Sequence, residues 1–304
     1  MPRGTSDVSR AALSPVLANF GRLDEGFGPD NRLATFNERV TMFREDTFEG
    51  TSVLITGGGT GIGKETAMQF AEHGARVGIA ARREEPLQQT VEAIRDNGGE
   101  ASWRTVDIRE EELIEECVEG FWDDWGRIDV LINNAGANFM SPAAAITANG
   151  WRTIIDINLN GTFLMSRIVG TRMMGDGEGG RIINMSATNA SNGSPMISHS
   201  GASKAGINSL TETLAVEWGA GGVTVNAILP GPVRTEGSDK RLWQDEELVE
   251  KLTSQIPLGR FATPEDIAPL AMFLASDLGK FITGALIPCD GGDRLRSGML
   301  GAGS

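Results

Sequence analysis

The sequence predicts an α/β fold: a single doubly wound domain with a parallel sheet flanked by helices on both faces. Three observations lead there. Short apolar runs, SVLITG, RVGIAA, DVLINN, RIINMS and VTVNAILPG, alternate with longer segments of helical character between about residues 38 and 292. Parallel strands need crossover connections, and helices supply them while covering both sheet faces. The first run ends in a glycine cluster that opens a helix, a local signature of a strand–turn–helix unit. Finally, 40% of residues are hydrophobic and no stretch of eighteen is apolar throughout, which suits a soluble globular chain without a membrane span.

Residues 1–37 mix Gly, Pro, Asp and Arg without a sustained period and read as an N-terminal extension, and residues 293–304 read as a glycine-rich C-terminal tail around the 38–292 domain. The N-terminus carries Arg3, Asp7 and Arg10 but no apolar run, which argues against a secretory signal, so the cytoplasm is the expected location. A formal charge of −14 opposes any phosphate-tracking surface, so nucleic acid is not an expected partner. Cys117 and Cys289 have no metal-ligand spacing and fit a reducing compartment, and no metal is expected.

In the first unit, Thr56 leads into Gly57-Gly58-Gly59-Thr60-Gly61-Ile62-Gly63, then a helix that ends near Gly74, then a second strand. This is the context of a dinucleotide-binding (Rossmann) fingerprint: the glycines permit a tight turn and close backbone approach, and pyrophosphate sits on the N–H groups of the helix N-terminus. The second strand ends in Ala81-Arg82-Arg83, where a carboxylate would bind the ribose hydroxyls of NAD. Arg82 instead suits a 2′-phosphate, so NADPH is the expected cofactor.

The TGxxxGxG spacing, Asp107, Asn133-Asn134-Ala135-Gly136, Asn158, Lys204 and PGPVRT at 230–235 together resemble the short-chain dehydrogenase/reductase family. The resemblance implies that Asp107 contacts the adenine and that Asn134, Ala135 and Gly136 line the cofactor. It also implies that Pro230, Gly231, Val233 and Thr235 hold the nicotinamide side and that Lys204 bridges the nicotinamide ribose hydroxyls. The family's usual catalytic pair is missing. Its tyrosine position is Ser200, in a chain that has no tyrosine, and its serine position is Ala187, with Ser186 beside it. A serine hydroxyl is far too weak an acid to replace a phenol, whose pKa is about 10, so ordinary ketone reduction is poorly supported.

One branch of the family, the 2,4-dienoyl-CoA reductases of fatty-acid metabolism, makes a different intermediate, and NNAGANFMSP, SxxxK, LAVEWG and PGPVRTEG resemble its pattern. There hydride goes to the far end of a conjugated thioester and charge collects on the thioester oxygen as a dienolate, which needs hydrogen-bond donors more than a strong acid. The resemblance assigns catalytic roles to Asn138, Asn158, Ser200 and Lys204. Asn138 would bond the thioester carbonyl, Phe139 and Thr147 would contact acyl-CoA, and Arg82, Arg109 and Arg241 would lie near its phosphates. Asn189 stands where the mitochondrial type has a second, tyrosine donor, and Asn158 stands where the peroxisomal type has aspartate. His199 matches a peroxisomal-type histidine, and two readings stay open for it: a proton relay, or a packed or exposed loop histidine. A homotetramer is the expected assembly. Two alternatives remain: an atypical short-chain oxidoreductase acting on another conjugated carbonyl compound in specialised biosynthesis, or a non-catalytic NADPH-binding sensor or assembly subunit.

Overall fold

The computed structural model describes residues 43–239 and 245–295. Seven parallel strands form one sheet in the order β3-β2-β1-β4-β5-β6-β7: β1 Ser52–Thr56, β2 Arg76–Ala81, β3 Glu100–Thr105, β4 Val130–Asn133, β5 Gly180–Met185, β6 Val223–Pro230 and β7 Leu286–Cys289. The longer helices are α1 Gly61–Glu72, α2 Glu84–Asp96, α3 Glu111–Trp125, α4 Ala148–Ile155, α5 Gly161–Gly175, α6 Ser198–Trp218, α7 Glu246–Gln255 and α8 Pro264–Ala275. A doubly wound α/β domain is thus what the chain forms.

Strand alternation divides the core in two. Val53, Ile55, Val130, Ile132 and Ile183 face one side and join a cluster with Phe70, Leu87 and Ile267 from α1, α2 and α8. Leu54, Leu131 and Ile182 face the other and meet Phe121, Met165, Leu214 and Trp218 from α3, α5 and α6. Both faces of the central strands are therefore apolar, which explains why those strands read as continuous hydrophobic runs rather than as alternating ones. At each fully buried Val, Leu or Ile, about 1.5–3 kcal/mol favours burial over exposure.

Strand order reverses between β1 and β4, whose register aligns Val53 with Val130 and Ile55 with Ile132. At such a switch point the connections leave in opposite directions and open a crevice at the strands' carboxyl ends, where ligands bind in open α/β sheets. The glycine turn after β1 and the Asn134–Gly136 turn after β4 both lie at that edge. Among the described residues, no helix is long and apolar enough to cross a membrane.

Candidate active site

The glycine turn is folded tightly on its neighbours. Gly57 takes φ 69°, a left-handed conformation that glycine enters without steric cost, and its N–H donates to Ala80 O at 2.7 Å. At Gly63 a Cβ would stand 2.4 Å from both Gly57 O and Asn134 Nδ2, so only glycine lets α1 approach the two turns. Gly58 and Gly59 lie against Ile79 and Pro86, and Gly61 lies against Thr235. Thr60 is the N-cap residue of α1 but gives no side-chain cap, which leaves the first-turn N–H groups without that partner; Ile62 sits half-buried behind them. A close-approach backbone cradle at an uncapped helix N-terminus fits the pyrophosphate of a nicotinamide dinucleotide.

Thr56 joins the two turns. Its hydroxyl oxygen accepts from Asn134 N and Ala135 N, both at 3.0 Å, and Asn134 Nδ2 donates to Thr56 O at 3.0 Å. Arg82 is exposed just after β2, and Asp107 follows β3 close enough to feel its charge. Arg109 forks onto the Asp107 carboxylate, with Nε donating at 2.9 Å and Nη2 at 2.5 Å, and this pairing holds the carboxyl below its usual pKa. Arg109 therefore stands beside the residue expected to contact adenine. Gly231 N donates to Cys289 O at 3.2 Å, just beyond Pro230, and Val233 bridges Ala262 in a short parallel contact. Thr235 is fixed by Ser238, whose Oγ accepts from Thr235 N at 2.8 Å.

The Asn158 side chain is fully buried in a π-helical turn at Asp156–Asn160, a local irregularity often found at functional sites. Its Oδ1 accepts from Ala137 N at 2.8 Å, while Nδ2 donates to Ala137 O at 3.1 Å and to Ser203 Oγ at 3.0 Å. With both ends of the amide used inside the protein, Asn158 pins the turn after β4 to α6. Lys204 lies half-buried one helical turn beyond Ser200, and its Nζ donates to Met185 O at 2.6 Å. Burial pushes its ammonium pKa down to about 8. A Cβ at Gly136 would be 3.4 Å from Asn158 Oδ1 and 3.8 Å from Lys204 Nζ, so these three residues share one seam.

The slot one turn before the lysine is closed: Ser200 is 4% exposed, and Asn189 Nδ2 donates to its Oγ at 3.4 Å. Ser186 donates to Lys204 O at 3.2 Å, a backbone contact rather than a place beside Ser200. Asn138 behaves differently. Its Oδ1 accepts from Phe139 N at 2.9 Å, while its amide NH₂ makes no hydrogen bond to another described residue. Phe139, 37% exposed, packs its ring 4.2 Å from that of His199. His199 has no exposed surface, and neither ring nitrogen reaches a partner at hydrogen-bonding distance and angle. Burial lowers its pKa, and the nearby Phe139 backbone offsets this only in part. Thr147 caps α4 by accepting from Gly150 N at 3.0 Å. Arg241 lies outside the described residues.

Several contributors had no separate signal in the sequence. Ser203 receives Asn158, and Thr56, visible in the sequence only as the first residue of the glycine motif, clamps the two turns. Met196, the only described non-glycine residue with a positive φ, at 69°, accepts Ser141 N at 2.7 Å through its carbonyl and so ties the Asn138 loop to the start of α6. Side chains rarely adopt that conformation, and it persists where surrounding contacts enforce it.

The profile of the family described as enoyl-(acyl carrier protein) reductase matches residues 57–293. A protein of Bacillus subtilis named a probable 2,4-dienoyl-CoA reductase, (2E)-enoyl-CoA-producing, is 42% identical over 252 residues, covering 81% of this chain and 98% of the relative. A short chain dehydrogenase structure from Bacillus anthracis has 41% identity and a TM-score of 0.74, covering 80% of this chain and 96% of that one. A Beutenbergia cavernae structure described as an NAD(P) dependent gluconate 5-dehydrogenase, with NADP bound at low occupancy, has 35% identity and a TM-score of 0.78; the match covers 84% of this chain and all of that one. With the dinucleotide cradle, the Asn158–Lys204 seam and these similarities together, the chain belongs to the short-chain dehydrogenase/reductase family, and within that family it resembles the 2,4-dienoyl-CoA reductases.

Proposed function

We propose that the protein reduces a conjugated acyl-CoA thioester, a 2,4-dienoyl-CoA or enoyl-CoA, with NADPH. One observation carries the reading: the acid slot holds only the enclosed Ser200, while Asn138 keeps a free amide donor whose direction is set by the Phe139 N–H. Because Asn138 Oδ1 is already engaged, the group left for a ligand is the NH₂, a donor suited to a developing oxyanion. The name of the Bacillus subtilis relative points the same way.

When bound, the cofactor supplies a hydride. Lys204 holds the nicotinamide ribose through its ammonium group, and the seam made by Gly136 and Asn158 sets the distance between that lysine and the turn after β4. Asn138 donates to the thioester oxygen as hydride addition at the far end of the conjugated system turns the substrate into a dienolate. Ser200, with Asn189 behind it, lends a second small polar neighbour. A proton from water then completes the reduction at carbon, so one hydride and one proton are gained while the cofactor is oxidised.

NADPH is preferred over NADH because Arg82 makes no hydrogen bond or ion pair with another described residue and no carboxylate occupies its position. Arg82, Arg109 and Arg241 would meet the phosphates of the CoA handle, and Phe139 and Thr147 its acyl end. An assembly of identical subunits, a tetramer by the family's habit, fits the exposed Phe163 on α5 and Val216 on α6.

The direct test is NADPH oxidation by the purified chain with dienoyl-CoA, enoyl-CoA and ketoacyl-CoA substrates. Turnover of dienoyl-CoA is expected, and turnover of the ketoacyl compound alone overturns the proposal. No turnover with any of the three, despite NADPH binding, favours a sensor or assembly role.

A further inference from the structure

We infer that His199 is a positioning residue: its ring is a buried plate under Phe139 that fixes where Asn138 presents its amide. The inference rests on the oxyanion role given to Asn138 above. Four observations make a continuous mechanical path. His199 lies in the first turn of α6, the rigid helix that also carries Ser200 and Lys204. Its ring centroid is 4.2 Å from that of Phe139, with the planes 46° apart. Phe139 N then donates to Asn138 Oδ1 at 2.9 Å. Finally, the same loop is held to the residues preceding α6 by Ser141 N and Met196 O, at 2.7 Å.

The surroundings of the imidazole favour a plate over a proton carrier. Both ring nitrogens are enclosed and lack a hydrogen-bond partner, and the ring has no exposed surface. A relay needs a donor on one side and an acceptor on the other; here the Phe139 backbone stands near the ring without forming a hydrogen bond, and no second polar group bonds the other ring nitrogen. What the ring does touch is an aromatic side chain, and a tilted aromatic pair in close contact adds dispersion and quadrupole attraction to apolar burial. Asn138 has only one fixed hydrogen bond, so its free NH₂ can swing if Phe139 shifts. Misplacing a group by an ångström costs as much as about 10²-fold in rate.

The test compares His199→Ala, His199→Phe and Asn138→Ala, with a double-mutant cycle. His199→Ala is expected to lower kcat by ~10–100-fold while KM and NADPH affinity move by less than about threefold. His199→Phe, which keeps a flat ring but no nitrogen, is expected to recover most of the lost turnover. Adding His199→Ala to Asn138→Ala is expected to cost little more than Asn138→Ala alone, because no amide remains to be oriented. The positioning role is overturned if His199→Phe falls as far as His199→Ala while NADPH still binds, since the ring nitrogens then matter. Additive losses in the cycle overturn it too, because His199 then acts by a route other than Asn138. If a His199 variant fails to bind NADPH and is misfolded, Phe139→Leu takes its place in the same cycle, with non-additivity again expected and additivity again fatal. Intact turnover in Asn138→Ala alone is a different result: it removes the oxyanion reading on which this one stands.

Discussion

At the turn after β4, Asn134 and, from the π-turn, Asn158 spend their amides on Thr56, Ala137 and Ser203, whereas a few residues along from Asn134, Asn138 keeps its NH₂ free and Phe139 is partly exposed. The first region is closed by hydrogen bonds between segments far apart in the chain. The second rests on one local bond at Asn138, an aromatic contact and the single Ser141–Met196 backbone bond. A dinucleotide presents the same pyrophosphate and ribose at every turnover, so its cradle can be rigid, and preorganised donors cost no rearrangement during reaction. The proposed acyl side would have to admit a substrate and release a product, and a loop held by few contacts does so more readily.

The sharpest way to break this contrast is to remove Lys204, the residue proposed to hold the cofactor where the two regions meet. Lys204→Ala is expected to lose roughly 10³-fold or more in kcat/KM, within the range for a positioned proton-handling or electrostatic group, and to weaken NADPH as well. Steady-state kinetics and fluorescence titration check the two effects separately, and an effect on only one would assign Lys204 to one region. Its depressed pKa adds a second expectation. The ammonium form grows as pH falls through about 8, so NADPH should bind more tightly toward pH 7 than at pH 9, with proton uptake on binding. Calorimetry in buffers of different ionisation enthalpy measures that uptake, which Lys204→Met should abolish.

Asn138→Ala probes the loosely held side alone. Loss of one preorganised oxyanion donor typically costs ~10²–10³ in kcat, and NADPH affinity should stay close to that of the parent. An equal fall in cofactor affinity would show that the two regions are not separable.

Arg82→Ala probes the cofactor side when cofactor is titrated without substrate. Removing a charge-assisted hydrogen bond to the 2′-phosphate should weaken NADPH by ~1.5–3 kcal/mol and leave NADH nearly unchanged, as binding titrations with both cofactors would show. Equal losses for the two would remove the assignment of Arg82 to that phosphate.

The closed region was the more legible in the sequence, for a physical reason. The turn from Thr56 to Gly63 is made of consecutive residues whose types dictate their backbone, so a strand, a glycine turn and a helix can be recognised locally. The alternating apolar runs similarly announced the sheet. Asn158 was visible as a motif residue, but its clamp on Ala137 and Ser203 was not, because those partners come from other parts of the chain. Nor does composition reveal that residues 156–160 form a π-turn. The bidentate Asp107–Arg109 pair and the Thr147 cap are short-range features, yet both side chains also suit ligand contacts, so sequence alone leaves their protein partners unstated. The buried chain from Ser166 and Asn133 through Asn184 to Thr211 joins four separate segments and has no sequence period at all.

Ser200 gives the smallest expected effect and the finest test of where the two regions meet. It sits on α6 between His199, proposed to support the Asn138 loop, and Lys204, proposed to hold the cofactor, and its hydroxyl oxygen receives only a long 3.4 Å bond from Asn189. If the dienolate is protonated on carbon from water, no proton has to pass through that hydroxyl, and Ser200→Ala should change kcat by only a few-fold, about the loss of one weak neutral hydrogen bond. Ser200→Tyr should not restore a ketone-reducing pair, because Ala187 offers no hydroxyl partner and a phenol would need space in a slot that is only 4% exposed. It should instead slow dienoyl-CoA reduction by crowding the acyl chain, seen as a higher KM. Should Ser200→Ala abolish turnover while Asn138→Ala leaves it intact, the serine would be the relay and the donor role would pass from the loop to the helix.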